Sequence, residues 1–336
     1  MKDTLVTLAF LLLAVIPASS LAQGRGQRVE LVRDGDTINV LIGGQPFTTF
    51  YFGPEAPKPY LHPLRSARGT VVTRGFPMRR DIPGETTDHP HQRAMFYAHG
   101  DINGIDFWGE ADPTKAQQTA KGVYYASGEL PKGRTVFVRL EEMKGGPEAG
   151  TLKALFHLVG PDGNVMGNEI QAYTFRGEAN SRIIDCEFTI QALDKPLKMG
   201  DTKEGTFAIR VVKALEAPAV HMLNSEGAIG EKAIWGKRAR WVDYSGTVED
   251  EKLGIAIFDN PQNPKYPTYW HARGYGLFAV NPFGEHDFYD DKTRDGSLTI
   301  PPGKTLTFRY RVLIHHGDAV ETKVEEAYAR YVRDRE

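Results

Sequence analysis

SRIIDCEFTIQAL, residues 181–193, decides the fold. Along this stretch Ile184, Cys186, Phe188 and Ile190 fall on one side of an extended chain. Ile183, Asp185, Glu187, Thr189 and Gln191 fall on the other. A period of two marks a strand with one face in a core and one toward solvent. Cys186 belongs to the apolar side and is the one cysteine of the chain, so it reads as a small core residue and no internal disulfide can form.

The same pattern spreads outward in both directions. Toward the N-terminus, strands are expected at Val29–Val32, Thr37–Ile42 and Pro46–Phe52, set off by Asp34-Gly35 and Gly43-Gly44, which are hairpin turn pairs. Ala120–Gly128, Thr135–Met143, Thr151–Val159 and Met166–Thr174 follow, punctuated by Pro131-Lys132-Gly133, Gly145-Gly146-Pro147 and Pro161-Asp162-Gly163. Beyond residue 193 come Phe207–Val212, Arg240–Val248, Leu253–Asn260, Gly276–Asn281, Gly296–Ile300 and Thr305–His315. One helix is expected at Ala319–Arg333, where Val320, Val324, Ala327, Tyr328 and Tyr331 recur at helical spacing. No repeat and no low-complexity linker interrupts the series. The expectation is an all-β protein, a large antiparallel β-sandwich with a short C-terminal helix, forming a single domain over 23–336. The segment 53–118 is rich in Pro, Gly, His and Arg and shows little alternation, so it is expected as a long functional loop.

The N-terminus reads as an address. Met1-Lys2, the apolar run Leu5–Ile16 and the small residues Ser20-Leu21-Ala22 form the n-region, h-region and cleavage pattern of a secretory signal. The apolar run is shorter than the roughly 20 residues of a membrane span. A signal peptide at 1–22, cleaved after Ala22, and a secreted or periplasmic protein with no membrane span after cleavage are expected. A net charge of −2 gives no basic surface for nucleic acid.

Three constellations carry chemistry. In Asp88-His89-Pro90-His91-Gln92-Arg93, followed by His99-Gly100-Asp101, two histidines two apart point the same way on an extended chain. Such residues act as acid or base near neutral pH, and they bind metal when a third ligand such as Glu204 or His271 joins His89 and His91. A divalent metal is therefore a possible cofactor. Asp201-Thr202-Lys203-Glu204-Gly205 is a charged loop at a sheet end, with Glu204 a candidate base and Lys203 a candidate ligand contact. Tyr269-Trp270-His271-Ala272-Arg273-Gly274 combines aromatic surface with polar groups, the makings of a sugar platform if the rings are exposed. Arg74, Arg79 and Arg80 form a basic run able to recognise a carboxylate, although such runs usually form a solvated loop face. Trp108 reads as core. Phosphate-loop, dinucleotide and nucleophile-elbow motifs are absent from the sequence.

Pro59-Tyr60-Leu61-His62-Pro63-Leu64, Gly69-Thr70-Val71-Val72-Thr73-Arg74, Asp88-His89-Pro90-His91, His99-Gly100-Asp101-Ile102-Asn103-Gly104, Asp201–Gly205 and Tyr269–Gly274 resemble the DUF6807 family over nearly all of the mature chain. Many of its members carry an automated label as a methane oxygenase subunit. That activity belongs to a bundle of membrane helices, and a chain of strands after its leader is not one. The pattern also resembles the galactose-mutarotase-like supersandwich. That resemblance implies a histidine acid (His91, His99 or His271) and a carboxylate base (Glu204) acting on a sugar ring, without fixing the roles one to one.

The sequence thus points to a carbohydrate-active protein working by His/Glu acid–base chemistry of the epimerase, lyase or hydrolase type. His89, His91, His99, Glu204 and His271 are its candidate catalytic residues. Arg79, Arg93, Asp101, Lys203, Tyr269, Trp270 and Arg273 are candidates to bind substrate. The alternative is a non-catalytic carbohydrate-binding or interaction module.

Overall fold

The computed structural model describes residues 26–110 and 130–334, together with the backbone of a short hairpin at 117–119 and 122–124. The expected leader lies outside the described residues, as does most of the strand expected at Ala120–Gly128.

Two eight-stranded antiparallel sheets pack face to face. The first runs in the order β1 (Val29–Asp34), β2 (Thr37–Ile42), β3 (Gln45–Tyr51), β4 (Tyr60–His62), β5 (Met95–His99), β13 (Gly205–Arg210), β18 (Leu277–Asn281), β17 (Tyr269–Ala272). The second runs β14 (His221–Asn224), β15 (Trp241–Val248), β16 (Glu251–Asp259), β20 (Thr305–His316), β11 (Ser181–Ala192), β10 (Val165–Gly177), β9 (Gly150–Val159), β8 (Arg134–Lys144). Strands are numbered along the chain. The short β6 (Gln117–Thr119) pairs with β7 (Gly122–Tyr124), and β12 (Leu197–Met199) with β19 (Leu298–Ile300). The helices are α1 (Glu231–Ile234), α2 (Glu285–Phe288) and α3 (Val324–Arg333).

The alternation of residues 181–193 is what closes the sandwich. Ile184, Cys186, Phe188 and Ile190 of β11 meet Phe207 and Tyr97 of the opposite sheet in one apolar cluster. Aromatic pairs cross the gap: Tyr97 stacks on Phe188 at 4.3 Å and Phe207 on Tyr310 at 5.3 Å between centroids. Burying such rings is the main favourable contribution to the core.

The segment 53–118 is not a loop throughout. It supplies β4 and β5, two middle strands of the first sheet. Every residue of both is buried, so neither shows the polar/apolar alternation by which the outer strands are recognised. The C-terminal helix begins at Val324 rather than Ala319, because Lys323 takes a left-handed conformation (φ 57°) that no helix interior accepts. Among the described residues no helix is long and apolar enough to cross a membrane.

Candidate functional site

The outer face of the first sheet has a low floor. Strand alternation sends Phe207 and Ile209 inward and Ala208 outward. Ala208 stands directly opposite Ala279 of β18, and Ala98 of β5 shares their cluster with Phe96 and Trp108. These small side chains in three adjoining strands are buried and form a low floor, over which the turn before β5 and the loop before β13 lie beside the edge strand β17.

Each contributes an imidazole or a carboxyl. His271 on β17 lies opposite Ala279 and so faces outward with the floor. Its Nδ1 lies 2.7 Å from the Lys203 carbonyl, which makes Nδ1 the donor. Nε2 then carries the lone pair and has no protein partner among the described residues, yet it is not sealed from solvent. Glu204 follows Lys203, with its Cβ against Gly100, a position where any side chain on residue 100 would collide with it at 2.8 Å. From the opposite rim His89 lies flat on the Tyr275 ring (5.3 Å between centroids, 1° between planes). His91 stands edge-on to His89 at 5.7 Å and next to Trp108 at 6.4 Å.

Burial separates the charge states of these groups. It lowers His91 to about 3, with the neighbouring Lys58 ammonium adding to the effect. It lowers His271 to about 4, partly offset by the Lys203 carbonyl. Both rings are neutral bases at pH 7. Burial pushes the Glu204 carboxyl up, against the opposing pull of the Lys203 charge. Imidazoles with open nitrogens and a carboxyl on one side of the sheet are groups able to carry protons to and from a ligand.

The remaining expected residues divide. Arg93 faces this rim but is committed to Glu110 by two bonds of 2.6 and 2.8 Å, and it covers the Tyr60 ring. Arg273 pairs with Glu231 at 2.8 Å while lying over Tyr275. Lys203 keeps an exposed ammonium 3.9 Å from Glu204. Asp101 is a turn residue, accepting the Gly104 N–H at 2.7 Å. Arg79 pairs with Asp81 on an exposed stretch. His99 points the other way. Alternation along β5 places it on the inward side, where it packs on Phe283 and its Nε2 meets the Gly200 carbonyl at 2.9 Å.

Two expectations need correction. Trp270 is not an exposed platform. It is fully buried between the sheets, bonded through Nε1 to the Ala239 carbonyl, because β17 alternates and His271 takes the outward position. Tyr269 is buried as well, under the Arg238 guanidinium at 4.3 Å. Arg74 is no solvated loop residue either: it is 1 % exposed. As to metal, no three His, Cys, Asp or Glu side chains among the described residues converge as a ligand set, and His89 Nδ1 is taken by Asp88.

The sequence concealed several members of the site. Tyr275 directly follows the Tyr269–Gly274 motif with no signal of its own. Lys58, buried and bonded to the Trp108 carbonyl at 2.7 Å, sits between two prolines with no local signal. Arg210 was visible only as a charge in a strand whose other residues are uncharged.

Fold and site together define an antiparallel β-sandwich with a histidine–carboxyl recess on the outer face of one sheet. The chain belongs to the DUF6807 family, described as a family of unknown function, whose model matches residues 37–329. No curated protein matches it. Solved structures that resemble it include a galactose mutarotase-like protein from Clostridium acetobutylicum (8% identity, 87% of this chain and 99% of that one, TM-score 0.43). A GH36 alpha-galactosidase, AgaA, from Geobacillus stearothermophilus is another (12% identity, 86% of this chain and 41% of that one, TM-score 0.40). A galactose 1-epimerase from Lactobacillus acidophilus is a third (9% identity, 88% and 100%, TM-score 0.38). At such scores the fold rests on its own two sheets, and no ligand passes from these structures to this chain.

Proposed function

We propose that this is an exported carbohydrate-active enzyme that moves protons on a sugar within the recess of the first sheet. One observation carries the reading: His271 has Nδ1 committed to the Lys203 carbonyl and Nε2 open, on the same loop whose next residue, Glu204, carries a carboxyl that burial pushes up. The imidazole accepts a proton from a hydroxyl or an acidic C–H of the ligand, and the carboxyl returns one to the oxygen that takes up the charge. Epimerisation, ring opening and elimination all use this pair of roles. The reading needs no metal. The half-buried Tyr275 ring and the bonded carboxylates and cations at the rim give a mixed apolar and polar lining suited to a polyhydroxylated ring.

The test is a thermal-shift screen of residues 23–336 against neutral, acidic and oxidised sugars, with and without EDTA. A ligand that binds only the folded state raises the melting point by mass action. A sugar-specific rise indifferent to EDTA is expected, and turnover of that sugar should fall about 10²–10⁴-fold in Glu204→Gln while binding remains. Binding without turnover in the wild type would favour a plain sugar-binding module. No shift with any sugar would end the carbohydrate reading.

A further inference from the structure

The turn that carries His89 is held from below by two buried arginines. Arg74 and Arg210, both 1 % exposed or less, come together because the Arg74 N–H bonds the Arg210 carbonyl at 2.9 Å. Arg74 donates from Nη1 to the Asp88 carboxylate at 2.7 Å and to the Asp88 carbonyl at 2.9 Å, and from Nη2 to the His89 carbonyl at 2.9 Å. Arg210 donates to the same carboxylate oxygen, Asp88 Oδ1, at 3.0 Å and to the Gln92 side chain at 2.5 Å. Two like charges meet in the interior on one oxygen, with Glu216 3.5 Å from Arg210 as a further counter-charge; such buried charge is costly, and one use it can have is to specify a local geometry.

What is specified is the His89 ring. His89 has a left-handed backbone (φ 46°), a conformation costly for a residue with a Cβ. The Arg74 bond to its carbonyl and the Gln92 N–H bond to the same oxygen at 3.0 Å hold it there. The second oxygen of Asp88 lies 2.8 Å from His89 Nδ1. Tyr275, itself over the Arg210 guanidinium at 4.8 Å, supports the flat of the ring. Backbone, edge and face of one exposed imidazole are each fixed by a separate contact. The carboxylate is kept ionised as well: burial alone would raise it, but the His89 hydrogen bond and the charges of Arg210 and Arg74 bring it down to about 2. An ionised carboxylate only accepts, so Nδ1 must donate, and in the neutral ring the lone pair then falls on Nε2.

We propose that Asp88, clamped by Arg74 and Arg210, is a positioning residue that locks His89 in the Nδ1–H form, with Nε2 presented to the recess as a proton-transfer atom. The proton would pass from a ligand hydroxyl or acidic C–H to Nε2, its electron pair staying on the ligand. The resulting imidazolium would be stabilised by Asp88 until it returns the proton. The proposal rests on the acid–base reading of the recess for its use, but not for its test.

The test is nitrogen-15 NMR of the histidine side chains, with His89 assigned by its loss in His89→Asn. The expected wild-type spectrum shows His89 protonated at Nδ1 and unprotonated at Nε2. Asp88→Asn should convert it to a tautomer mixture. Arg74→Lys, which keeps charge but not the fork of donors, should weaken the lock partially. A wild-type His89 protonated on Nε2 overturns the proposal, as does a tautomer unchanged in a folded Asp88→Asn. On any sugar turned over, Asp88→Asn should lower kcat about 10–100-fold with KM nearly unchanged, the usual scale for an orienting partner. If no sugar binds but the tautomer behaves as expected, the carbohydrate reading fails and the lock stands.

Discussion

The two outer faces of the sandwich are built from the same alternation and end in opposite states. On the first sheet, His271 and His91 expose ring nitrogens that have no protein partner among the described residues. On the second, Asp185 of β11 stands opposite Arg311 of β20 and is bonded by it at 2.6 and 3.0 Å, with Arg176 on the same carboxylate. Nearby His315 has both nitrogens engaged, Nε2 with Asp243 at 2.8 Å and Nδ1 with the Thr322 hydroxyl at 2.9 Å. Helix α3 packs Tyr328 and Tyr331 over Phe258 and Leu313 of this face. One face holds its polar groups in reserve, and the other uses them to attach the C-terminal segment. Charge in a cleft is not enough to mark a site. The cleft of about 900 Å³ on the second face is lined by paired ions, among them Asp185 with Arg176 and Arg311 and Lys252 with Glu321, whereas the recess is marked by imidazole nitrogens left unpaired.

This contrast breaks most sharply under mutation. Glu204→Gln and His271→Asn are expected to reduce turnover of the responding sugar by about 10²–10⁴-fold while leaving the melting point within a few degrees. Equal loss of melting point and activity would make the recess merely structural. On the other face the signature inverts. Asp185→Ala leaves two guanidiniums without their shared carboxylate and should cost about 3–5 kcal/mol in denaturant unfolding, with sugar response unchanged.

Smaller effects follow from the groups buried between the faces. Glu169 on β10 is 2 % exposed, bonded at 2.6 Å by Gln171, which in turn accepts the Tyr173 hydroxyl. Burial raises its carboxyl to about 8. The folded state therefore binds a proton that the unfolded chain has released, so this group makes stability fall as pH rises from about 4.5 to about 8. Glu169→Gln should flatten that slope and be the more stable protein at pH 8, by up to a few kcal/mol. A wild-type slope shared by the variant would mean the carboxyl is ionised in the core. The histidines work in the other direction. His91, His99 and His271 are lowered to about 3, 4 and 4, chiefly by burial. Below about pH 6.5 the unfolded chain takes up protons that the folded one refuses, so stability falls on acidification toward pH 4. His99→Asn should lessen that acid loss, while sugar response at pH 7 persists because His99 faces away from the recess.

Much of the sandwich was legible in alternation. The strand at Thr37–Ile42 is found with the expected ends, and the strands expected at Thr135–Met143, Thr151–Val159 and Ser181–Leu193 are found within a residue at each end. What escaped lacks a polar side. β4, β5 and β17 are buried on both faces, so they read as loop or as an aromatic motif. The error at Trp270 has the same origin. Which of two neighbours in Trp270-His271 faces the core depends on the register with β18, and register is not local.

By itself the sequence determined residue types and their period: an all-β chain, Cys186 in the core, and a set of histidines with Glu204 able to do acid–base chemistry. The tertiary structure decided which of those groups meet. It turned His99 inward and His271 outward, and it put Arg74 and Arg210 beneath Asp88, although they are far apart in the chain. It also buried Asp185, which alternation assigns to solvent, under two arginines. The physical reason is common to all four. Alternation along a strand sets which side chains share a face, but which face meets the core, and what covers the other, are set by distant segments.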